Sequence, residues 1–223
     1  MPTVLITGCD TGLGVEFARQ YAAHGWRVLA TCLDPETARE TRAIKGDISV
    51  KRLDISDHAE IEALAEELRG DAIDILLSNA GIGRPHPPFG ETDYANWRRI
   101  LEVNLIGPMR LAESFVEHVA KSDRKVMAFV SSRMGSIALN LSGGSYAYRS
   151  SKAGLNAVIR SLAVDLARLE ICVLALHPGW AKTEPGGRVE VKDSVAGMRG
   201  VIDRAGRHHT GSFVTYGDQP LPW

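Results

Sequence analysis

Seven short apolar runs, rich in β-branched residues, recur along the chain: TVLIT (3–7), RVLAT (27–31), ISVKRLD (48–54), IDILLS (73–78), KVMAFVS (125–131), ICVLALH (171–177) and SFVTY (212–216). Near-continuous apolar runs of this length read as strands buried on both faces. Between them, segments 13–25, 57–70, 93–121 and 148–168 place apolar residues at helical spacing. Strand and helix alternate, which predicts a parallel sheet with helices on both faces. Right-handed crossovers then give a Rossmann-type, doubly wound α/β sheet of about seven strands. The 223 residues suit one domain spanning 1–223, with no linker, repeat or low-complexity segment.

Composition narrows the function classes. A formal net charge of −1 argues against a nucleic-acid or membrane surface. No apolar run approaches the length of a membrane span, and TVLIT at the start reads as a strand, not as a leader. Cys9, Cys32 and Cys172 are scattered without metal-ligand spacing, so no metal site is expected. Sparse, unpaired cysteines suit a reducing compartment. The chain reads as soluble and cytoplasmic.

The segment TGCDTGLG (7–14) lies between the first strand and the first helix. Gly8 permits a tight turn. Gly12 and Gly14 let the backbone approach a pyrophosphate and let the helix pack on the sheet. The helix N-terminus offers N–H groups and a positive dipole end to that anion. The alternative is a glycine turn needed only for packing. In YRSSK (148–152), Tyr148 and Lys152 share one helix face. An ammonium beside a phenol favours the phenolate, making the tyrosine a usable proton donor or acceptor near neutral pH. The alternative is an ordinary surface pair. VSSRMGS (130–136) ends a strand. Any of Ser131, Ser132, Ser136, Ser142 and Ser145 could bond a substrate oxygen or merely cap a turn. Asn104, within ILEVNLIGP (100–108), is either a satisfied helix residue or a carbonyl or water ligand at a local helix distortion.

In this order the features resemble the short-chain dehydrogenase/reductase superfamily, over essentially the whole chain. Its cofactor motif matches residues 7–14. Its NNAG motif appears as SNAG (78–81), with Ser78 in place of the first asparagine and Asn79 keeping the second, sheet-supporting one. The resemblance implies a catalytic set of Ser132, Tyr148, Lys152 and Asn104. It implies cofactor contacts from Gly8, Asp10, Thr11, Gly12, Leu13 and Gly14, and from Asp54 and Ile55 at the adenine. Asn79, Ala80 and Gly81 extend this set, as do Tyr148 and Lys152. Pro178, Gly179 and Trp180 of PGWAKT would continue it, with Thr183 at the nicotinamide carboxamide. Tyr146 is a rival to Tyr148 only by proximity, because position 150 is serine and supplies no lysine. SRMGSIALNLSGGSYAYRSSKAGLN (132–156) and GSFVTYGDQPLPW (211–223) are similar to the branch of C-factor signalling proteins and sniffer-type carbonyl reductases.

The implied activity is NAD(P)-dependent hydride transfer on a small or aromatic carbonyl or alcohol. The alternative is a C-factor-like signalling or regulatory protein that binds NAD(P). A purely structural scaffold has no need for the tyrosine–lysine pair. The segment around 184–195, with Pro185, Gly186 and Gly187, predicts an open substrate pocket with little lid. Trp97, Met134, Leu139, Tyr146, Trp180 and His86 are candidate lining residues, with core or surface roles as the alternative. The resemblance also implies a homodimer or homotetramer. Leu101, Leu105, Leu111, Phe115, Leu155, Ile159 and Leu162 outnumber what a narrow core stripe needs, compatible with such an interface.

The cofactor choice turns on the end of the second strand, Cys32, Leu33 and Asp34. In the family, an acidic residue at Cys32 favours NAD and a basic one at Leu33 favours NADP; this chain has neither. Asp10 and Asp34 would repel a 2′-phosphate, and Asp34 could reach the ribose hydroxyls. The balance favours NAD, with NADP open.

Overall fold

The computed structural model describes residues 1–83, 86–183 and 186–223. Strands β1 (Thr3–Ile6), β2 (Arg27–Cys32), β3 (Ile48–Arg52), β4 (Ile75–Ser78), β5 (Val126–Val130), β6 (Cys172–His177) and β7 (Ser212–Thr215) form one sheet in the order β3-β2-β1-β4-β5-β6-β7. Every pairing between these strands is parallel. The helices are α1 (Gly12–Ala23), α2 (Arg39–Arg42), α3 (His58–Glu67), α4 (Tyr94–Leu101), α5 (Gly107–Ala120), α6 (Tyr146–Asp165) and α7 (Val191–Asp203). The doubly wound parallel sheet is as the alternation predicts.

The period-2 alternation of side chains divides the core in two. Val4 and Ile6 face one side with Phe17 and Tyr21 of α1 and Met198 of α7. Leu5 faces the other with Phe115 of α5 and Leu155 and Ile159 of α6. Each fully buried side chain of this size contributes roughly 1.5–3 kcal/mol. That layering corrects the reading of a helical surplus. Leu111, Phe115, Leu155, Ile159 and Leu162 are all buried in the chain's own core, and Leu105 packs against it. Those five buried residues are consumed by the sheet face, whereas Leu101 and Leu105 are only partly buried.

Two helical readings are also corrected. The continuous helix 93–121 is interrupted by a π-helical segment, Glu102–Ile106, between α4 and α5. Pro108 has no N–H to give to the carbonyl of Asn104, four residues earlier, so the ladder slips there. And α7 begins at Val191, inside the segment around 184–195 read as a short lid, so helix replaces loop there.

Candidate active site

Strand order reverses between β1 and β4, and a cavity of about 860 Å³ opens there, past the carboxyl ends of both strands. Crevices at such switch points are where doubly wound sheets bind ligands. Asn79 ties the two strand ends together. Its Nδ2 donates to the carbonyls of Thr7 (2.9 Å) and Gly8 (3.2 Å), and its N–H bonds Thr7 Oγ1 at 3.0 Å.

The glycine loop forms one wall. Gly8 turns at φ +71° against Ala80, whose Cα would stand 2.8 Å from any Cβ added at Gly8. Gly12 has φ +60°, and a Cβ there would meet Thr183 Cγ2 at 2.9 Å. Helix α1 starts at Gly12 without a side-chain cap from Thr11, so its first N–H groups keep their bonding capacity. Gly8, Asp10, Thr11, Gly12 and Leu13 line the cavity, as do Ala80 and Gly81. Gly14 does not. The space a side chain would need there is filled by the Gly8 carbonyl, so Gly14 lets α1 pack closely on the loop.

At the end of β2 the structure changes the picture in three respects. Cys32 is fully buried, its thiol pushed up to about 12 by burial and then by Asp10; it faces the core, away from the cleft. Asp34 bonds its own turn, accepting from Glu36 N–H at 3.0 Å, and does not line the cavity. Leu33 does line it, with its peptide gripped from both sides. Asp10 Oδ1 accepts the Leu33 N–H at 2.9 Å, and Arg52 Nη1 donates to the Leu33 carbonyl at 2.7 Å. A cation therefore does stand beside the strand end. Sequence reasoning missed Arg52 because it arrives from β3, in register with Cys32. Its guanidinium is held by Glu60 at 2.8 and 3.0 Å, which raises its pKa further above the ordinary arginine value.

Farther along, Asp54, Ile55 and Ser56 line the cavity opposite Arg99 and Val103. Asp54 Oδ1 accepts from Ser56 N–H (2.9 Å) and Ser56 Oγ (2.6 Å). Arg99 was also missed. Its legible sign is the i, i+4 spacing to Val103, which puts both on one helical face.

Tyr148 and Lys152 lie in the first two turns of α6 and both line the cavity. Lys152 is 5% exposed. Its Nζ donates to the Val130 carbonyl at 2.9 Å and stands 6.0 Å from the centre of the Tyr148 ring. Ser132 faces the same space, and its Oγ accepts the Met134 N–H at 3.2 Å. Ser131, a rival, also lines the cavity, but its Oγ proton goes to Asn156 Oδ1 at 2.6 Å. Tyr146 points elsewhere, 6.5 Å from Phe89 ring to ring. Asn104 is fully buried behind the wall in the π segment, so the helix distortion is present at this residue. A Cβ at Gly81 would lie 3.3 Å from Asn104 Oδ1 and 3.6 Å from Lys152 Nζ, so all three meet at one point.

Pro178, Gly179, Trp180 and Thr183 close the far side. Ser194 of α7 donates to the Pro178 carbonyl at 2.5 Å. The loop then folds back on itself: Arg188 and Val189 N–H groups bond the Trp180 carbonyl at 2.7 and 3.0 Å. Pro185 of the expected short lid lies outside the described residues. Trp180 is the one anticipated substrate-lining residue on the main cavity. Tyr146 separates two smaller cavities, of about 330 Å³ with His86 and about 310 Å³ with Trp97 and Met134; Leu139 lines none of the three. Among the described residues no His, Cys, Asp or Glu cluster could hold a metal ion, and no helix is long and apolar enough to cross a membrane.

The family model described as short chain dehydrogenase matches residues 2–193. The C-signal protein of Myxococcus xanthus is 37% identical over 166 residues, 73% of this chain and all of that protein. The carbonyl reductase Sniffer of D. melanogaster superposes with a TM-score of 0.94 at 29% identity, over the whole of both chains. A carbonyl reductase from Pseudomonas aeruginosa, solved in complex with NADP, gives 0.88 at 32% identity, again over both chains in full.

Proposed function

The chain belongs to the short-chain dehydrogenase family of NAD(P)-dependent oxidoreductases, and on that premise we propose that it exchanges a hydride between a nicotinamide cofactor and a small or aromatic carbonyl or alcohol, with Tyr148 as general acid and base. The observation that carries this reading is that Tyr148 and Lys152 open onto the same cavity as the glycine loop.

The cleft suits a dinucleotide. Its volume falls in the range of cofactor sites, and the α1 N-terminus and the Cβ-free surface of Gly12 favour a pyrophosphate at that wall. Leu33, Asp54 and Ile55 would hold the adenosine end, and Pro178, Gly179, Trp180 and Thr183 the nicotinamide end. The bound cofactor supplies or accepts the hydride. The chain's residues do the rest. Ser132 Oγ, already an acceptor for Met134 N–H, directs its proton to the substrate oxygen and stabilises the charge growing there. Tyr148 gives that oxygen a proton in reduction and takes one in oxidation. The Lys152 ammonium favours the phenolate. Asn104 supports the water path that returns a proton to this pair.

For the cofactor we favour NAD over NADP. Asp10 holds a carboxylate at the Leu33 peptide, and Arg52, the nearby cation, is neutralised by Glu60. One domain over 1–223, a reducing cytoplasmic compartment suited to three free buried cysteines, and a homodimer or homotetramer complete the reading.

The test is a thermal-shift and turnover screen of ketones, aldehydes and alcohols with both cofactors. Tyr148→Phe is expected to lower turnover by about a hundredfold or more while cofactor binding persists. Native-like turnover by that variant would sink the reading. A second reading, a signalling or regulatory protein that binds NAD(P), is favoured by the C-signal relative alone. It gains ground if the Tyr148→Phe gene restores the phenotype of a strain lacking the native one.

A further inference from the structure

Between β5 and α6 the chain runs through the Ser132 turn, where its regular structure is one 3₁₀ turn, Arg133–Gly135. A serine that must orient a substrate oxygen needs a backbone held to a fraction of an ångström. Three contacts hold this one. Met134 N–H donates to Ser132 Oγ at 3.2 Å. Gly135 is pressed on the backbone of Lys152, where an added Cβ would stand 2.8 Å from the lysine carbonyl. The third contact comes from the other end of the sequence. A main-chain oxygen of Trp223 accepts from both Ser136 Oγ and the Ala138 N–H, each at 3.2 Å. Ser136 is 1% exposed and its Oγ also accepts the Leu139 N–H at 3.2 Å.

Trp223 is itself fixed to the sheet. Its ring stacks on Phe213 of β7 at 5.3 Å between centroids, and the Leu221 N–H bonds the Phe213 carbonyl at 2.8 Å. The contacts thus run from β7 through Trp223 to Ser136 and Ala138, and through Gly135 to Lys152. Trp223 does not line the cofactor cleft.

We propose that Trp223 is a positioning residue for the reaction: it braces the Ser132 turn against the Lys152 backbone and thereby sets the distance between Ser132 and Tyr148. This rests on the hydride-transfer reading. The indole carries the role, because its stacking on Phe213 decides where the Trp223 main-chain oxygen sits.

The test compares Trp223→Ala and Trp223→Phe with the native chain and with Tyr148→Phe. Trp223→Ala is expected to lower kcat about tenfold and to leave the cofactor Kd within about twofold, since a sub-ångström shift at the serine slows chemistry without touching the cleft. Trp223→Phe keeps a ring on Phe213 and is expected to restore most of kcat. Hydrogen exchange should quicken in Trp223→Ala at residues 133–139 and stay unchanged at β1 and β2. An unchanged kcat in Trp223→Ala overturns the proposal. So does a loss shared equally by cofactor binding and by exchange across the whole sheet, which would mark general loosening. If Tyr148→Phe turns over substrate like the native chain, the hydride-transfer reading fails, and the exchange pattern still decides whether the brace exists.

Discussion

Asn104 and Ile82 exchange two hydrogen bonds: Asn104 Oδ1 accepts the Ile82 N–H at 2.8 Å, and Asn104 Nδ2 donates to the Ile82 carbonyl at 3.0 Å. One side chain thereby supplies the segment after β4 with the partners a neighbouring strand would give. The same Nδ2 reaches Ser151 Oγ on α6 at 3.1 Å. Asn104→Ala leaves donor and acceptor unmade in a buried setting, at about 1–3 kcal/mol each. The expected loss is about 2–6 kcal/mol in urea unfolding, with turnover falling as well. Asn104→Asp should do no better, because a carboxylate would face the Ile82 carbonyl. A loss below about 0.5 kcal/mol, the level of an ordinary surface change, would contradict the assignment.

Cofactor preference is predicted to respond at two positions. Leu33→Arg adds a cation beside Asp10 and should raise the ratio of kcat/KM for NADPH over NADH. Glu60→Gln should move the ratio the same way by a smaller factor, because it releases Arg52 from its carboxylate partner. The two sites share Arg52, through its bonds to Glu60 and to the Leu33 carbonyl, so their effects need not add. An unchanged ratio in both variants would remove the electrostatic account of NAD preference.

The contrast between Asp34 and Arg52 shows what a sequence makes legible. Periodicity, which is local, makes the sheet and its seven strands legible, and the family resemblance implies the roles of Gly12, Tyr148 and Lys152, all of which line the cavity. By sequence Asp34 could reach the ribose hydroxyls; in the structure it accepts the Glu36 N–H of its own turn, as a short acidic residue there favours, and does not line the cavity. Arg52 was invisible because a parallel partner strand delivers it, and register between β2 and β3 is not written in either strand alone. The two roles read for Gly12 and Gly14 together divide between them, Gly12 lining the cavity and Gly14 packing on Gly8. The π segment at Asn104 was half legible: Pro108 lies four residues on, where an N–H is required.

Gly12 and Gly25 separate backbone strain from contact. Both have positive φ, +60° and +75°, but an added Cβ meets Thr183 at 2.9 Å at Gly12 and nothing within 4 Å at Gly25. Alanine at either position should cost about 1–2 kcal/mol for the left-handed conformation. Only Gly12→Ala should also weaken cofactor binding, by about tenfold or roughly 1.4 kcal/mol, measured by NADH fluorescence titration. Equal Kd values for the two variants would exclude the glycine wall from the cofactor site.

His118 gives the fold an acid-sensitive point remote from the cleft. The ring lies on α5, 5.0 Å from Phe115, with Nε2 at 3.1 Å from the Ala65 carbonyl. Its Nδ1 is buried with no partner among the described residues. Burial lowers its pKa below the ordinary 6.5, and the Ala65 bond opposes that shift only in part. A depressed pKa means the folded state binds fewer protons than the unfolded one below pH 6.5. Stability contributed by the neutral ring is therefore complete above that pH and is lost as pH falls toward the folded-state value. His118→Gln keeps an N–H for Ala65 without a titrating ring. Urea unfolding between about pH 7 and 5 should show a steeper decline for the native chain than for this variant, because every carboxylate and other histidine is common to both. Parallel declines would show that the His118 ring is not held neutral by the fold.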